Sequence, residues 1–139
     1  MNWLLWSILS ALFAGATAIL AKVGVSGVSS NLATAIRTLV ILVFAWAIVG
    51  FTYRSGELSS VTQKGWLFLV LSGVATGLSW LCYFRALQLG LASKVAPVDK
   101  LSVVFVILFA AAFLGESLSF AKVAGGLMIA AGAITLVFS

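Results

Sequence analysis

Five long apolar runs dominate the chain and restrict what it can fold into. A helix of about 20 apolar residues spans the hydrocarbon core of a bilayer. The runs predict transmembrane helices at about 3–21, 32–51, 65–87, 95–114 and 120–138. The predicted fold class is therefore an all-α, multi-pass membrane protein with five transmembrane helices. An odd number of spans places the two termini on opposite sides of the lipid bilayer.

The composition agrees with a membrane environment and argues against other classes. Of the 139 residues, 63% are hydrophobic and 8% are charged, whereas a soluble domain has about 25% charged residues. The net charge is +5, but the basic residues are scattered near predicted helix ends. They form no run with interleaved aromatic residues, so we expect no nucleic-acid partner.

The sequence carries no pattern that is typical of a catalytic centre. It has no histidine, which is the commonest metal ligand and proton shuttle near neutral pH. It also lacks a metal-ligand cluster, a glycine-rich phosphate loop and a nucleophile paired with a base. The lone cysteine, Cys82, cannot form a disulfide within the chain. We therefore expect no enzyme activity, no metal and no other cofactor.

The ends of the apolar runs carry a few further signals. Ala16-Thr17-Ala18 in the first run resembles a signal-peptide cleavage site. No Lys or Arg precedes that run and four more spans follow, so a retained transmembrane helix is favoured. Helix caps are predicted at Ser30 or Asn31 and at Ser117 or Ser119.

Arg37 and the aromatic pair Trp80 and Tyr83 each have two interpretations. Arg37 lies roughly 9 Å into the second predicted helix at about 1.5 Å per residue. An arginine at this depth either snorkels to the interface or pairs with another group, or else it faces a cavity. Trp80 and Tyr83 are three residues apart and share a helix face. They either stack on a ligand or anchor the helix at the membrane interface.

Asp99 is predicted to lie at the start of the fourth helix. The positive end of the helix dipole favours a carboxylate there, and Pro97 is tolerated in a first helical turn. Asp99 either caps the helix or pairs with a nearby base, or it is an ionisable group beside a cavity. The two other acidic residues have plainer explanations: Glu57 lies in a loop, and Glu116 lies within reach of Lys122.

Glycines at helical spacing predict close contacts between helices. Gly73 and Gly77 form a G-x-x-x-G pattern, which permits close approach but is common in membrane spans. Gly125 and Gly132 are two helical turns apart and share a face, and Gly126 lies beside it. We predict helix-packing or dimer contacts at Gly73, Gly77, Gly125, Gly126 and Gly132.

The second half of the chain resembles a known family. The run ALQLGLASKVAPVDKLSVVFVILFAAAFLGESLSFAKVAGGLMIAAGAITLV is similar to the second half of an EamA domain of the drug/metabolite transporter superfamily. The matching features are the small-residue turn, the proline that opens the fourth helix, the Leu114-Gly115-Glu116 close and the glycine-rich fifth helix. The first half agrees more loosely, through Trp6 and two basic residues, Lys22 and Arg37.

The resemblance implies one EamA-like transmembrane domain over residues 1–139. The usual family member has two such units in opposite orientation around a central cavity, so this chain is expected to form an inverted homodimer or to pair with an oppositely oriented partner chain. The implied function is secondary transport or export of a small metabolite or drug-like solute across the cytoplasmic (inner) membrane of a prokaryote, by alternating access. The alternative is a non-transporting membrane subunit that stabilises a larger partner.

The charged face defines the expected substrate pathway. In a five-helix topology one membrane face holds five bases and one acid, namely Lys22, Arg37, Arg85, Lys94, Lys100 and Asp99. A positively charged opening of the pathway there favours anionic or zwitterionic solutes. Two exposed turns also explain several of these charges without a ligand. The small multidrug resistance proteins, which are four-helix relatives, depend on a glutamate in their first helix. Residues 1–21 contain no acid, so that cation-binding mechanism cannot be carried over to this chain. The substrate-pathway candidates are Lys22, Arg37, Trp80, Tyr83, Arg85, Asp99 and Lys100.

The distribution of basic residues predicts dual topology. Orientation follows the excess of Lys and Arg in cytoplasmic loops. The side that holds the N-terminus carries Arg54, Lys64 and Lys122, and the loops on the other side carry Lys22, Lys94 and Lys100. Arg37 and Arg85 lie near that second side, so the tally is three against three in the loops or three against five with these arginines. The resemblance implies an N-terminus inside the cell, whereas the larger tally favours the opposite orientation. Because the two signals conflict, neither orientation is strongly enforced, and a chain that inserts both ways builds an inverted pair.

Overall fold

A computed structural model describes residues 2–54 and 56–139. The domain expected at 1–139 includes Met1 and Ser55, which lie outside the described residues. The described part of the chain forms six α-helices. They are α1 (Trp3–Gly24), α2 (Ser30–Thr52), α3 (Gln63–Leu89), α4 (Ala92–Asp99), α5 (Ser102–Phe113) and α6 (Phe120–Phe138).

Five of the helical segments are long and apolar enough to cross a membrane. Four of them are α1, α2, α3 and α6, and the fifth is α4 together with α5, over Ala92–Phe113. Most of their large apolar side chains are exposed on the chain, as with Leu12 at 66% and Phe44 at 65%. A lipid bilayer or another apolar surface has to cover them. The predicted all-α class with five transmembrane helices is confirmed.

The helices divide into two compact units. The discontinuous unit consists of the chain up to residue 22 and residues 89–139, so it holds most of α1 together with α4, α5 and α6. The central unit consists of residues 23–88, and it holds α2 and α3 with the loops around them.

In the central unit, side-chain hydrogen bonds define how α2 begins and how α3 ends. Ser29 caps α2, because its hydroxyl accepts a hydrogen bond from the backbone N–H of Leu32 at 3.3 Å. The predicted caps, Ser30 and Asn31, are instead the first two residues of the helix. Gln88 donates from Nε2 to the backbone carbonyl of Val28 at 2.6 Å, which joins the end of α3 to the loop that precedes α2.

In the discontinuous unit, α6 packs against α4 and α5. Gly126 is buried, and a Cβ at this position would lie 3.4 Å from Cδ1 of Ile107 on α5. Lys94, on α4, donates from Nζ to the backbone carbonyl of Val137 at 2.9 Å, near the end of α6. Ser119 caps α6 through the backbone N–H of Lys122, which is one of the two caps predicted for this helix.

The fourth transmembrane segment is two helices, α4 and α5, where the sequence predicted one continuous helix at 95–114. Pro97 lies inside α4 and has no N–H for the ladder. The helix ends two residues later, and the chain continues with i→i−3 hydrogen bonds, such as Lys100 N–H to Pro97 C=O at 3.1 Å and Leu101 N–H to Val98 C=O at 3.0 Å. This tighter spacing is typical of a 3₁₀ turn, and it separates the two helical pieces.

The break changes the position of Asp99. The segment begins at Ala92, so Asp99 is the last residue of α4 and lies about 10 Å into the span at 1.5 Å per residue. The sequence had placed it at the start of a helix. A carboxylate at a helix C-terminus meets the negative end of the dipole, so the dipole does not explain this residue.

Candidate functional site

A cation and two aromatic rings meet inside the central unit. Arg37, on α2, places its Cζ 4.6 Å from the centroid of the Trp80 ring on α3. The same Cζ lies 5.4 Å from the centroid of the Phe84 ring. Trp80 and Phe84 are four residues apart, so they occupy one face of α3. We call Arg37, Trp80 and Phe84 the arginine–aromatic cluster.

The members of the cluster differ in how far they are buried. Phe84 is 3% exposed, while Arg37 and Trp80 are half-buried. Tyr83, next to Phe84 on α3, is also half-buried. Arg37 is the eighth residue of α2, roughly 10 Å along the helix from its start. The charge is therefore inside a membrane-spanning helix and beyond its capping turn.

No carboxylate pairs with Arg37 in the described part of the chain. The sequence has three acidic residues. Two of them form ion pairs with lysines of the discontinuous unit. The third, Glu57, accepts a hydrogen bond from the backbone N–H of Arg54 at 3.3 Å in the loop after α2. The contacts that the structure assigns to Arg37 are to aromatic side chains.

The aromatic rings stabilise the charge of Arg37 but do not use its hydrogen-bond donors. An arginine at the centre of a membrane helix costs about 2.5–3.5 kcal/mol on translocon-based scales. A cation over an aromatic face gains about 0.5–2 kcal/mol, so two rings offset much of this cost. The rings do not, however, provide lone pairs for the five N–H donors of a guanidinium. Among the described residues, none is assigned to Arg37 as a hydrogen-bond acceptor.

The threonines beside Arg37 on α2 are satisfied within their own helix. The Thr34 hydroxyl donates to the Ser30 carbonyl at 2.8 Å, and the Thr38 hydroxyl donates to the Thr34 carbonyl at 2.8 Å. Such back-bonding is the usual state of Thr inside a membrane helix. Arg37 therefore remains the strong donor group on this part of α2.

The prediction for the aromatic residues of α3 can now be compared with the structure at Trp80, Tyr83 and Phe84. The sequence predicted that Trp80 and Tyr83 share a face and stack on a ligand or anchor the helix. In the structure Trp80 lies over the guanidinium, so its partner is a protein cation. Phe84 was not predicted to belong to the site, although its spacing of four residues from Trp80 was a usable signal.

Arg85, another predicted pathway residue, has a structural partner. Its Nη1 donates to the side-chain oxygen of Gln88 at 3.1 Å, and Gln88 in turn donates to the Val28 carbonyl at 2.6 Å. Arg85 is exposed. The structure therefore connects it to the end of α3 and not to the arginine–aromatic cluster.

The lysines of the discontinuous unit bind oxygen atoms of that unit. Lys22 donates from Nζ to the Gly90 carbonyl at 2.7 Å, which joins the end of α1 to the turn before α4. Lys100 forms an ion pair with the neighbouring Asp99 at 3.2 Å, and both side chains are exposed by more than a third. An ion pair was one of the two interpretations of Asp99, and an ionisable group beside a cavity remains a prediction.

The glycines predicted to pack fall into two groups. Gly126 faces α5, as described above. In the described part of the chain, a Cβ built at Gly73, Gly77, Gly125 or Gly132 has no heavy atom within 4 Å apart from its chain neighbours and the backbone of its own helix. A dimer contact at these four positions stays a prediction.

Among the described residues, the arginine–aromatic cluster is the arrangement with hydrogen-bonding capacity left for a ligand. The arginine–aromatic cluster holds a permanent positive charge with unpaired N–H donors beside apolar rings. A guanidinium of this kind is able to bind an anion, since guanidinium and carboxylate match in a bidentate geometry. It contains no nucleophile and no general base, so it cannot by itself perform bond chemistry.

Comparison with known proteins gives two matches. The model of the EamA-like transporter family matches residues 1–138. A protein from a Sinorhizobium species, named "Uncharacterized transporter in cobO 3'region", is 53% identical over 135 residues, which cover 97% of this chain and 96% of that protein. No solved structure matches the chain.

Proposed function

The chain belongs to the EamA-like transporter family, and from that premise we propose that it is a secondary transporter that exports a small metabolite or drug-like solute. Membership makes it a multi-pass membrane transporter of the drug/metabolite transporter superfamily. The solute, the direction and the alternating-access mechanism belong to the proposal, as does its location in the cytoplasmic membrane of a prokaryote.

The observation that carries the proposal is the unpaired charge in α2. An ionisable side chain inside a membrane span indicates a substrate or ion pathway unless a partner neutralises it. Arg37 has aromatic rings beside it and no carboxylate among the described residues. A solute that passes the cluster would supply the missing hydrogen-bond acceptors.

A complete pathway requires a second five-helix unit. The transporter plan of inverted repeats places the solute between two units of opposite orientation. This chain contains five candidate spans, so we propose that two copies, or one copy and an oppositely oriented partner chain, enclose the pathway. A closed two-fold pair places the same residues of both copies on the two sides of one axis.

The direct test is solute flux in liposomes that contain only this protein. Amino acids, nucleobases and amines are first screened by thermal shift, and those that raise the melting temperature are loaded as radiolabelled solutes for counterflow. Accumulation in protein-containing vesicles above the empty-vesicle control supports transport. If no screened solute moves while the protein is folded and inserted, the proposal fails, and the alternative of a non-transporting subunit is favoured.

The inverted pair has a separate test. A reporter fused after Ser139 is read from each side of the membrane, with a single-topology protein as the control. The balance of basic residues in the loops predicts signal from both sides. Signal from one side alone would contradict the inverted homodimer and point to a separate partner chain of opposite orientation.

A further inference from the structure

We propose that the arginine–aromatic cluster is a subsite for an oxyanion, a carboxylate or phosphate group on a small solute that also has an apolar part. The inference rests on the proposed transport function and deepens it, because it names the chemical class of the solute. The subsite consists of Arg37 on α2 and of Trp80 and Phe84 on α3.

Neither ring contact supplies a hydrogen-bond acceptor to the guanidinium of Arg37. A guanidinium is planar: its flat faces stack on aromatic rings, and its N–H groups point outward in the plane. Trp80 at 4.6 Å and Phe84 at 5.4 Å interact with the cation through their ring faces. A carboxylate or phosphate that approaches along the edge forms two parallel N–H···O bonds without displacing either ring.

The charge around the cluster selects against cations. Residues 23–88 contain four basic residues and one acidic residue. That acid, Glu57, is bonded to the backbone of Arg54 in the loop after α2. A cationic solute would meet Arg37 with no carboxylate of the central unit to offset the repulsion. An anion, or the carboxylate of a zwitterion, meets an unpaired positive charge.

The rings also select for an apolar body on the anion. Trp80 is half-buried and lies beside the guanidinium, so part of a ligand bound to Arg37 would contact the Trp80 ring. Aromatic surface contributes hydrophobic and stacking contact that a bare inorganic ion cannot use. Benzoate should therefore bind more tightly than acetate, although both present the same carboxylate.

The other two arginines of the sequence, Arg54 and Arg85, serve as internal controls for Arg37. Arg85 donates to Gln88, and Arg54 lies exposed in the loop after α2. Together with Arg37 these are the three arginines of the sequence. An arginine-specific reagent can thus report on all three at once, with two of them as internal controls.

The experiment measures protection of Arg37 from phenylglyoxal. The purified protein in dodecyl maltoside is modified with and without sodium benzoate, sodium acetate, inorganic phosphate or benzylamine, and modification at each arginine is quantified by mass spectrometry. We expect benzoate to slow modification of Arg37 at least fivefold, at a lower concentration than acetate, and to leave Arg54 and Arg85 unchanged. Equal protection of all three arginines, or none at Arg37 by benzoate, acetate or phosphate, would overturn the proposal.

A lipid headgroup is the other source of the same chemistry. A parallel reaction in mixed micelles with phosphatidylglycerol separates the sources. Protection of Arg37 by phosphatidylglycerol alone, with no effect of the soluble anions, would assign the cluster to lipid and overturn the solute subsite. Protection by benzoate in lipid-free micelles supports the subsite.

Variants distinguish failure of the subsite from failure of transport. Arg37→Gln should weaken benzoate binding at least tenfold by thermal shift, while Arg54→Gln, in the exposed loop after α2, leaves it unchanged. Benzoate binding that depends on Arg37, in a protein that moves no solute, would keep the subsite and reject the transport function. Solute transport with unchanged benzoate affinity in Arg37→Gln would reject the subsite and keep the transport function. If Arg37→Gln does not fold, the protection experiment on the unaltered protein still decides.

Discussion

The lysines of the discontinuous unit and Arg37 of the central unit differ in the kind of partner they have. In the discontinuous unit all four lysines donate to oxygen atoms of the same unit. Three of these oxygens are backbone carbonyls, those of Gly90, Ser117 and Val137, and two are carboxylates. In the central unit Arg37 contacts aromatic side chains, with no carboxylate partner among the described residues.

The difference separates charges that hold the fold together from a charge that is available to a ligand. A lysine bonded to a carbonyl or carboxylate joins two points of the chain, such as α4 and the end of α6. An arginine over aromatic rings is stabilised without using its hydrogen-bonding edge. Substitution of these lysines should therefore change stability, and substitution of Arg37 should change function.

The largest expected effect follows Arg37→Gln. Loss of a charged hydrogen-bonding group removes about 1.5–3 kcal/mol of interaction, or roughly 10- to 100-fold in affinity. We expect solute flux in liposomes to fall by at least about tenfold, while the melting temperature stays the same or rises, because an unpaired charge leaves the span. Arg54→Gln, in the exposed loop, is the matched control and should transport normally. Normal flux in Arg37→Gln would remove the functional contrast between the units.

Asp99→Asn tests whether the discontinuous unit also contributes to function. Asp99 lies inside the fourth segment, whereas Glu57 and Glu116 lie outside the helices. If Asp99 couples transport to protons, the asparagine variant should lose uphill accumulation and keep exchange. Flux is measured with and without an imposed proton gradient. Uphill transport at the unaltered rate would exclude Asp99 from the coupling.

Two glycine variants on α6 sharpen the description of the packed unit. Gly126→Leu should destabilise the protomer by about 1–3 kcal/mol through overpacking, because a Cβ there already lies 3.4 Å from Ile107. Gly132→Leu meets open space in the chain and should spare the fold but weaken association of two copies. Thermal denaturation and crosslinking measure the two effects. If the double change of Gly125 and Gly132 to Leu leaves association intact, this face contacts lipid.

The smallest effect is expected for Lys94→Met. The change removes one ammonium–carbonyl hydrogen bond, worth about 1 kcal/mol net, and water at the end of α6 can replace part of it. Lys100→Gln is the comparison, since an exposed ion pair contributes about 0.2–1 kcal/mol. Both variants should transport at the unaltered rate. A large loss of flux in Lys94→Met with unchanged stability would show that this lysine is not purely structural.

The sequence by itself determined the class of the protein and most of its helices. Runs of about 20 apolar residues have few alternatives to transmembrane helices, because backbone groups in lipid must be satisfied within the segment. The resemblance of the second half to an EamA domain is confirmed by the family match over residues 1–138. Ser119 as the cap of α6 was also among the predictions, because a serine before an apolar run is a local signal.

Tertiary contacts determine which basic side chains bond to oxygen atoms of the protein and which contact aromatic rings instead. Hydropathy treats Lys22, Lys94 and Arg37 alike, as bases near helix ends, and their partners are distant in sequence. Lys22 bonds to Gly90 and Lys94 to Val137, whereas Arg37 meets rings more than 40 positions away on α3. Contacts of this kind depend on how helices are placed, which local propensity does not encode.

The break between α4 and α5 depends on the position of Pro97 relative to the start of the helix, which composition does not give. The sequence placed Pro97 in a first turn, where it is harmless. In the structure the helix begins at Ala92, five residues earlier, so the same proline lies inside it and the ladder changes to i→i−3 bonds after Asp99. The apolar length of the segment could therefore be predicted from the residues, but its interruption depended on where the helix starts. α4 starts beside the turn at which Lys22 bonds to Gly90, and it packs against α6.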